Sequence, residues 1–128
     1  KRPEIISLAK GIIEAQTREI NDMKEWYEEW FGATVPVASQ GMMGGEGMVH
    51  MDSMSGDLEA LENASDFDLE FIRQMIPHHE MAVMMAQMLE NNTSRAEMKE
   101  LADNIITSQN GEIKMMRNWS KAWSVSQN

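Results

Sequence analysis

The chain contains no cysteine, which excludes disulfide bonds, zinc–thiolate sites and catalysis by a thiol. Basic residues are scarce: there are 11 lysines and arginines against 21 acidic residues, and the formal net charge is −10. This balance argues against nucleic acid or an anionic membrane surface as a partner. Long apolar runs are absent too, so the sequence predicts no membrane insertion. The chain opens at Lys1 without an initiator methionine or a signal peptide, and we interpret it as a mature or trimmed product.

Methionine, by contrast, is abundant, with 14 in 128 residues. The stretch 32–65 carries five acidic side chains, no basic one and six glycines. Such glycine density cannot sustain a helix, so we predict an irregular loop over 32–56, then a linker with one helical turn at 57–62. The loop has no core to fill, so we expect its methionines and histidine to bind a metal ion and to become more ordered when they do. These loop ligands are Met42, Met43, Met48, His50, Met51 and Met54.

The flanking segments show the apolar spacing of amphipathic helices. We predict helices over 4–31, about 66–90 and about 95–124, and no stretch alternates with the period of a strand. The short connection between the last two helices requires them to run antiparallel. The fold class is therefore all-α, an antiparallel helical bundle in a single domain over 1–128.

Residues that favour helix ends stand at the predicted boundaries. Pro3 suits the first turn of the first helix, and Gly32 suits its end. Ser65 and Ser94 each begin a capping-box pattern and are the predicted N-caps of the second and third helices.

The first and third helices are related by an internal repeat. Shifting the first helix forward by 93 positions gives 11 identities in 27 positions, and Trp26 and Trp30 fall on Trp119 and Trp123. A shared amphipathic period explains matched leucines and isoleucines, but hardly the matched glutamine, glutamate, methionine and tryptophans. In the second copy, the repeated helix follows a histidine-bearing helix. The chain therefore has one and a half copies of a helix pair and resembles a four-helix bundle lacking its first helix.

The second helix carries the densest pattern of histidine and methionine. His78 and His79 follow Pro77, which removes a backbone donor in mid-helix and predicts a kink at the histidine pair. Spacings of three and four residues place successive side chains on neighbouring turns, so this helix can offer several of them to one ion. Met115 and Met116 can reach the ion from the antiparallel third helix. The candidate ligands on the second helix are Met75, His78, His79, Met81, Met84, Met85 and Met88.

Some residues at helical spacing have a plainer interpretation as core. The apolar face of the second helix includes Ile72, His79 and Ala86. Methionine also fills irregular gaps between helices. We expect this role for Met23, Met98 and Met116.

Other metal-site patterns fail on spacing. His79 and Glu80 begin an H-E-x-x-H motif, but Val83 stands where a zinc protease has its second histidine. No glutamate lies three residues before a histidine, as di-iron bundles require, and no acidic stretch fits a calcium loop. The remaining donors, imidazole and thioether, select Cu(I) and its analogue Ag(I). Because thioethers form no disulfides, a methionine-rich chain without cysteine suits an oxidising compartment.

Two polar residues fall on the inward face of the third helix. They are Gln109 and Glu112, and a buried glutamate is rare unless it is paired. A histidine that binds metal usually donates its other ring N–H to such a partner. We therefore predict that Glu112, with Gln109, supports and orients His79. The sequence leaves open, with equal weight, that Glu112 pairs with a lysine or arginine at the bundle edge.

Two motifs resemble those of a known family. The first is Asp66-x4-Phe71-x3-Met75-Ile76-Pro77-His78-His79-x2-Ala82. The second is Leu101-Ala102-x2-Ile105-x3-Gln109-x2-Glu112-Ile113-x2-Met116-x2-Trp119. Together they resemble the ferritin-like, four-helix family catalogued as a domain of unknown function, and above all its periplasmic copper-binding members. The resemblance covers 66–123, and 4–30 as a half repeat. It implies export, a helical bundle, copper or silver handling in metal resistance, and metal binding by Met75, His78, His79 and neighbouring methionines.

Three functions remain open. The favoured one is a periplasmic metallochaperone that sequesters or transfers Cu(I) or Ag(I), because reversible soft ligands suit holding and releasing an ion. Its expected partners are metal ions and a periplasmic copper exporter or acceptor protein, and we expect no catalytic residue. The second is a copper-dependent oxidase, which needs more histidines than the three present. The third is an interaction module that uses methionines as an adaptable apolar surface.

Overall fold

Four α-helices make up most of the described chain. A computed structural model describes residues 1–36 and 56–126, and no β-strand occurs in those ranges. The all-α class predicted from the sequence is therefore confirmed. The helices are α1 (Pro3–Phe31), α2 (Leu58–Asn63), α3 (Phe67–Asn92) and α4 (Ala96–Val125).

The chain divides into two compact units. The first is Lys1–Ser55, with α1, and the second is Gly56–Asn128, with α2, α3 and α4. In the ranges that the structure describes, no helix is long and apolar enough to cross a membrane.

The ends of α1 follow local sequence signals. Arg2 is the N-cap, and Pro3 occupies the first turn, where its missing N–H breaks no hydrogen bond. At the other end, Gly32 has a φ of 66°, and its N–H donates to the Glu28 carbonyl at 2.8 Å. Glycine takes this left-handed conformation without strain, so Gly32 ends the helix as predicted.

The apolar side chains of α1 differ widely in exposure. Ile5 and Leu8 are buried, whereas Ile13 is 64% and Ile20 is 47% exposed. Met23 is 39% exposed, so its assignment to the core is wrong. Periodicity places a side chain on an apolar face, but it does not reveal whether another element covers that face.

The predicted helical turn is α2, which is anchored to α3. Asp57 caps α2 by accepting the Ala60 N–H at 2.9 Å. Gln74 on α3 accepts the Asp57 N–H at 2.7 Å and donates to the Asp57 carbonyl at 2.9 Å. Gly56 has a φ of 76°, and a β-carbon added there would lie 2.7 Å from the Gln74 amide oxygen. This corner therefore requires both a glycine and an amide.

The N-caps of α3 and α4 are not the predicted serines. Asp66, rather than Ser65, caps α3 by accepting a first-turn backbone N–H at 3.2 Å, because aspartate is as good a cap as serine. Arg95 is the N-cap residue of α4 and makes no side-chain capping bond. The Thr93 hydroxyl accepts the Arg95 N–H at 3.2 Å, so a threonine turn precedes α4 and the prediction for Ser94 is wrong.

The two long helices of the second unit pack against each other as an antiparallel pair. The connection between α3 and α4 is only three residues long, so α4 must run back along α3. Pro77 lies inside α3, and the helix is continuous through it. Burial of each large aliphatic side chain stabilises such a pair by about 1.5–3 kcal/mol. The buried apolar residues of this unit are Ile72, Ala86, Leu101, Ala102, Ile113 and Met116.

The repeated tryptophans take the same arrangement in both copies. In α1, Trp26 and Trp30 stack with ring centroids 6.1 Å apart and an interplanar angle of 16°. In α4, Trp119 and Trp123 stack at 5.7 Å and 8°. Residues four positions apart lie on one side of a helix, so equal spacing gives equal stacking. This correspondence supports the internal repeat.

Candidate metal centre

A buried histidine links the two long helices. His79 on α3 is only 1% exposed, and its Nε2 lies 2.5 Å from Oε2 of Glu112 on α4. Both residues stand about 20–24 Å from the turn, at 1.5 Å per residue, as an antiparallel pair requires. The carboxylate satisfies one ring nitrogen, which allows a histidine to lie on an apolar face. The predicted contact between His79 and Glu112 is present.

A second link between the helices was not predicted. Arg117 on α4 donates to Glu80 on α3 at 2.6 Å. The register set by His79 and Glu112 places Glu80 opposite residue 111, so the long arginine side chain spans the remaining distance to Glu80. Both side chains are exposed, so the ion pair contributes little to stability. Arg117 is therefore paired with Glu80 and not with Glu112. The alternative left open from the sequence, in which Glu112 pairs with a lysine or arginine at the bundle edge, is not what these contacts show.

The neighbouring histidine has a different environment. His78 is half-buried, and its ring centroid lies 6.2 Å from that of His79, with the rings tilted by 58°. Burial lowers the pKa of His78 below its ordinary value of 6.5, and the nearby His79 lowers it further. His78 is therefore neutral at pH 7, which is the form that binds metal ions.

The two histidines share an unusual feature. The Nδ1 atoms of His78 and His79 are both buried and have no hydrogen-bond partner among the described residues. Most buried side-chain polar atoms in proteins do have a partner. Each of these two nitrogens is therefore a candidate donor to a metal ion.

The candidate methionines differ in burial. Met75 is half-buried one turn before the histidines, and Met116 on α4 is fully buried, as expected for a core residue. Towards the end of α3, four methionines within about two turns form an exposed group that we name the methionine stripe. Its members are Met81 (37% exposed), Met84 (55%), Met85 (52%) and Met88 (60%). Met115 on α4 is 43% exposed.

The remaining predicted site residues are less informative. The loop ligands defined above all lie outside the described residues. Gln109 is half-buried one turn before Glu112, and its support of His79 stays a prediction. Among residues 1–36 and 56–126, no group of three or more histidine, cysteine, aspartate or glutamate side chains could hold a metal ion.

Comparison with known proteins gives a family and a set of similar structures. The family model described as "Domain of unknown function (DUF305)" matches residues 1–120. CopM in its Cu(II)-bound form is 54% identical, with a TM-score of 0.80 over 96% of this chain and 79% of that chain. The Cu(I)-bound form of CopM is 50% identical, with a TM-score of 0.74 over 96% and 78%. An Ag-bound form, obtained by co-crystallisation, is 49% identical, with a TM-score of 0.76 over 96% and 77%.

A further relative matches over a shorter stretch of the chain. The uncharacterised protein L153 of Acanthamoeba polyphaga mimivirus is 43% identical over 49 residues. That match covers 38% of this chain and 32% of the viral protein, so the chain spans about a third of this relative.

Proposed function

We propose a function for this chain from one premise: it belongs to the DUF305 family. Its function is to bind Cu(I) and Ag(I) through histidine and methionine side chains, and to sequester or transfer the ion. The observation that carries this proposal is the pair of buried, unpartnered Nδ1 atoms on His78 and His79. CopM, about half identical over 96% of this chain and solved with Cu(I), Cu(II) and Ag, supports it.

The donor set matches the chemistry of these ions. Thioether sulfur is a soft donor that selects Cu(I) and Ag(I) over Zn²⁺ or Mg²⁺, and neutral imidazole binds copper as well. His78 is neutral at pH 7 and needs no deprotonation before it binds. Met75, one turn before the pair, is the proposed additional ligand on α3, and Met116 is the candidate on α4. Since imidazole also binds Cu(II), the histidines are the proposed donors for that ion.

The exposed methionines have a complementary role in this proposal. The methionine stripe and Met115 are open to solvent, so an ion can reach them and leave them without opening the helix pair. We assign them, together with the loop ligands, to the capture and release of ions. The histidine pair then holds the ion more tightly, because its donor nitrogens are held in place by the packed helices and have no competing hydrogen-bond partner among the described residues.

The proposed setting is the periplasm, in copper homeostasis and resistance. A chain with 14 methionines and no cysteine keeps its soft ligands in an oxidising compartment, where thiols are lost to disulfides. A periplasmic copper exporter or acceptor protein is the proposed recipient of the ion. Holding and handing over an ion requires no catalytic residue.

Silver titration of the full chain tests the proposal. Ag(I) affinity and stoichiometry are measured by competition in chloride-free buffer for the wild-type protein and three variants. The double variant His78→Ala/His79→Ala should lose the tightest site. Replacing the four residues of the methionine stripe by leucine should reduce the number of weaker ions and leave the tightest site in place.

Met98→Leu provides the matched control. Met98 is a half-buried methionine on α4 outside the proposed ligand set, so this variant should bind as the wild type does. Loss of the tight site in the double histidine variant alone supports the proposal. Unchanged affinity and stoichiometry in that variant contradicts it.

The exposed methionines also favour a second candidate, an interaction module for another protein. The stripe places four large, flexible apolar side chains on one surface of α3. Leucine keeps the apolar surface and removes the sulfur. Two results together would favour the interaction module. The wild-type chain would fail to bind Ag(I), and the leucine variant would still bind the partner protein.

A further inference from the structure

The contact between His79 and Glu112 determines which ring nitrogen of His79 carries the proton. A carboxylate offers only lone pairs, so the 2.5 Å contact requires a hydrogen on Nε2 of His79. In a neutral imidazole, the other nitrogen, Nδ1, then holds a free lone pair. That Nδ1 is buried and has no partner among the described residues.

The surroundings make this arrangement rigid. His79 is 1% exposed, whereas the side chain of Glu112 keeps 19% of its surface exposed. The two residues lie on different helices, so the packing of α3 against α4 fixes the distance between them. A ring flip of His79 would break its bond to Glu112 and leave the N–H group buried without an acceptor, which is unfavourable.

We propose that Glu112 is a positioning residue that holds His79 with its proton on Nε2 and thereby makes Nδ1 the atom that binds the ion. This inference rests on the proposed function, because it names the ligand atom of the same site. His78 presents an equally unpartnered Nδ1 on the preceding residue. The carboxylate contacts the opposite side of the His79 ring, so it supports the ligand nitrogen without itself binding the ion. Outer partners of this kind typically change metal affinity by about 10–100-fold when they are removed.

The ligand atom can be identified directly by nuclear magnetic resonance. Both stable silver isotopes have spin one-half, so an Ag–N bond produces a splitting of the bound ¹⁵N signal. In the full chain, labelled at histidine and loaded with one equivalent of Ag(I), we expect the splitting at Nδ1 of His79 and a retained proton on Nε2. Splitting at Nε2 of His79 overturns the inference and leaves the proposed function intact. An absence of silver coupling at both histidines contradicts the proposed function itself.

Three variants test the role of the carboxylate. Glu112→Leu removes the acceptor and should lower Ag(I) affinity by about 10–100-fold. Glu112→Gln keeps an acceptor oxygen and should lose less affinity than Glu112→Leu. Glu80→Gln, which removes the same charge from the residue next to His79, should leave the affinity unchanged. Wild-type affinity in Glu112→Leu, or an equal loss in Glu80→Gln, overturns the inference.

Discussion

At the scale of single residues, the two consecutive histidines of α3 have different environments and therefore different roles. Successive side chains on a helix point about 100° apart, so His79 lies against α4 while His78 remains half-buried. His79 bridges the helices through Glu112 and is also a proposed ligand. His78 makes no such bridge to any described residue, and its lowered pKa keeps it in the neutral form that binds an ion. Stability and metal affinity should therefore respond differently to the two substitutions.

We expect His79→Ala to destabilise the protein and His78→Ala to do so much less. Removing His79 breaks a buried bond to a carboxylate, which lowers the free energy of unfolding by about 2 kcal/mol. Removing the half-buried His78 should change it by less than about 1 kcal/mol. Urea denaturation of the metal-free variants, followed by circular dichroism, gives both values. Gln87→Ala, an exposed change on the same helix, is the control, and equal losses at 78 and 79 would contradict this division of roles.

The pH dependence of binding follows from the lowered pKa of His78. Protons compete with the ion for the imidazole, and burial together with His79 weakens proton binding to His78. Ag(I) affinity should therefore be constant above pH about 7 and should fall only as the pH drops below 6.5. The same shift makes the folded state less stable in that range, because His78 of the unfolded chain takes up protons first.

Competition titrations between pH 8 and 4.5 measure this dependence. The triple variant His50→Ala/His78→Ala/His79→Ala, whose remaining candidate ligands are all thioethers, should show a flat profile over the same range. A wild-type affinity that already declines between pH 8 and 7, or that stays constant down to pH 4.5, would show that the lowered pKa of His78 does not govern binding.

At the scale of elements, the helices were more predictable than their ends. Periodic apolar residues placed α3 and α4 to within two residues at each end, since a long helix repeats its signal over many turns. The caps were harder, because one or two hydrogen bonds decide them and Asp66 competes with Ser65. The bonds from Gln74 to Asp57 carried no sequence signal at all, since 17 positions separate the two residues.

Gln74→Leu should release α2 from α3 without disturbing the candidate metal site. The substitution removes two hydrogen bonds to the Asp57 backbone, each with a net contribution of about 1 kcal/mol. Hydrogen exchange should therefore become faster over residues 57–63 and stay unchanged in α4, with unaltered Ag(I) affinity. Gln87→Leu makes the same chemical change at an exposed position of α3 and should have no effect. Unchanged exchange over residues 57–63 would mean that these bonds do not hold α2 in place.

At the scale of the whole molecule, the part of the candidate site that could be predicted from the sequence is the part that involves a buried glutamate. A glutamate on the inward face needs a partner, and this rule led from Glu112 to His79. The rule says nothing about exposed groups, so the pair formed by Arg117 and Glu80 was not found. Met23 and Met116 occupy equivalent repeat positions, yet one is 39% exposed and the other is fully buried. Sequence identity within a repeat therefore predicts that a residue lies in a helix and on which face, but not whether other residues bury that face.

The ion preference of the whole chain is the broadest prediction. The protein has 21 acidic side chains and a net charge of −10, so any cation is attracted to it weakly and without specificity. Tight retention depends instead on imidazole and thioether donors, and the soft thioethers favour Cu(I) and Ag(I) over Zn²⁺ and Mg²⁺. Native mass spectrometry under anaerobic, reducing conditions, with Cu(I) and Zn²⁺ in equal amounts, should show Cu(I) retained at least about tenfold more often.

Raising the ionic strength should remove weakly attracted Zn²⁺ and Mg²⁺ and leave bound Cu(I) in place, because screening acts on exposed charges rather than on buried ligands. Zinc held as tightly as Cu(I) at high ionic strength would mean that soft thioether donors do not determine which ion the site retains.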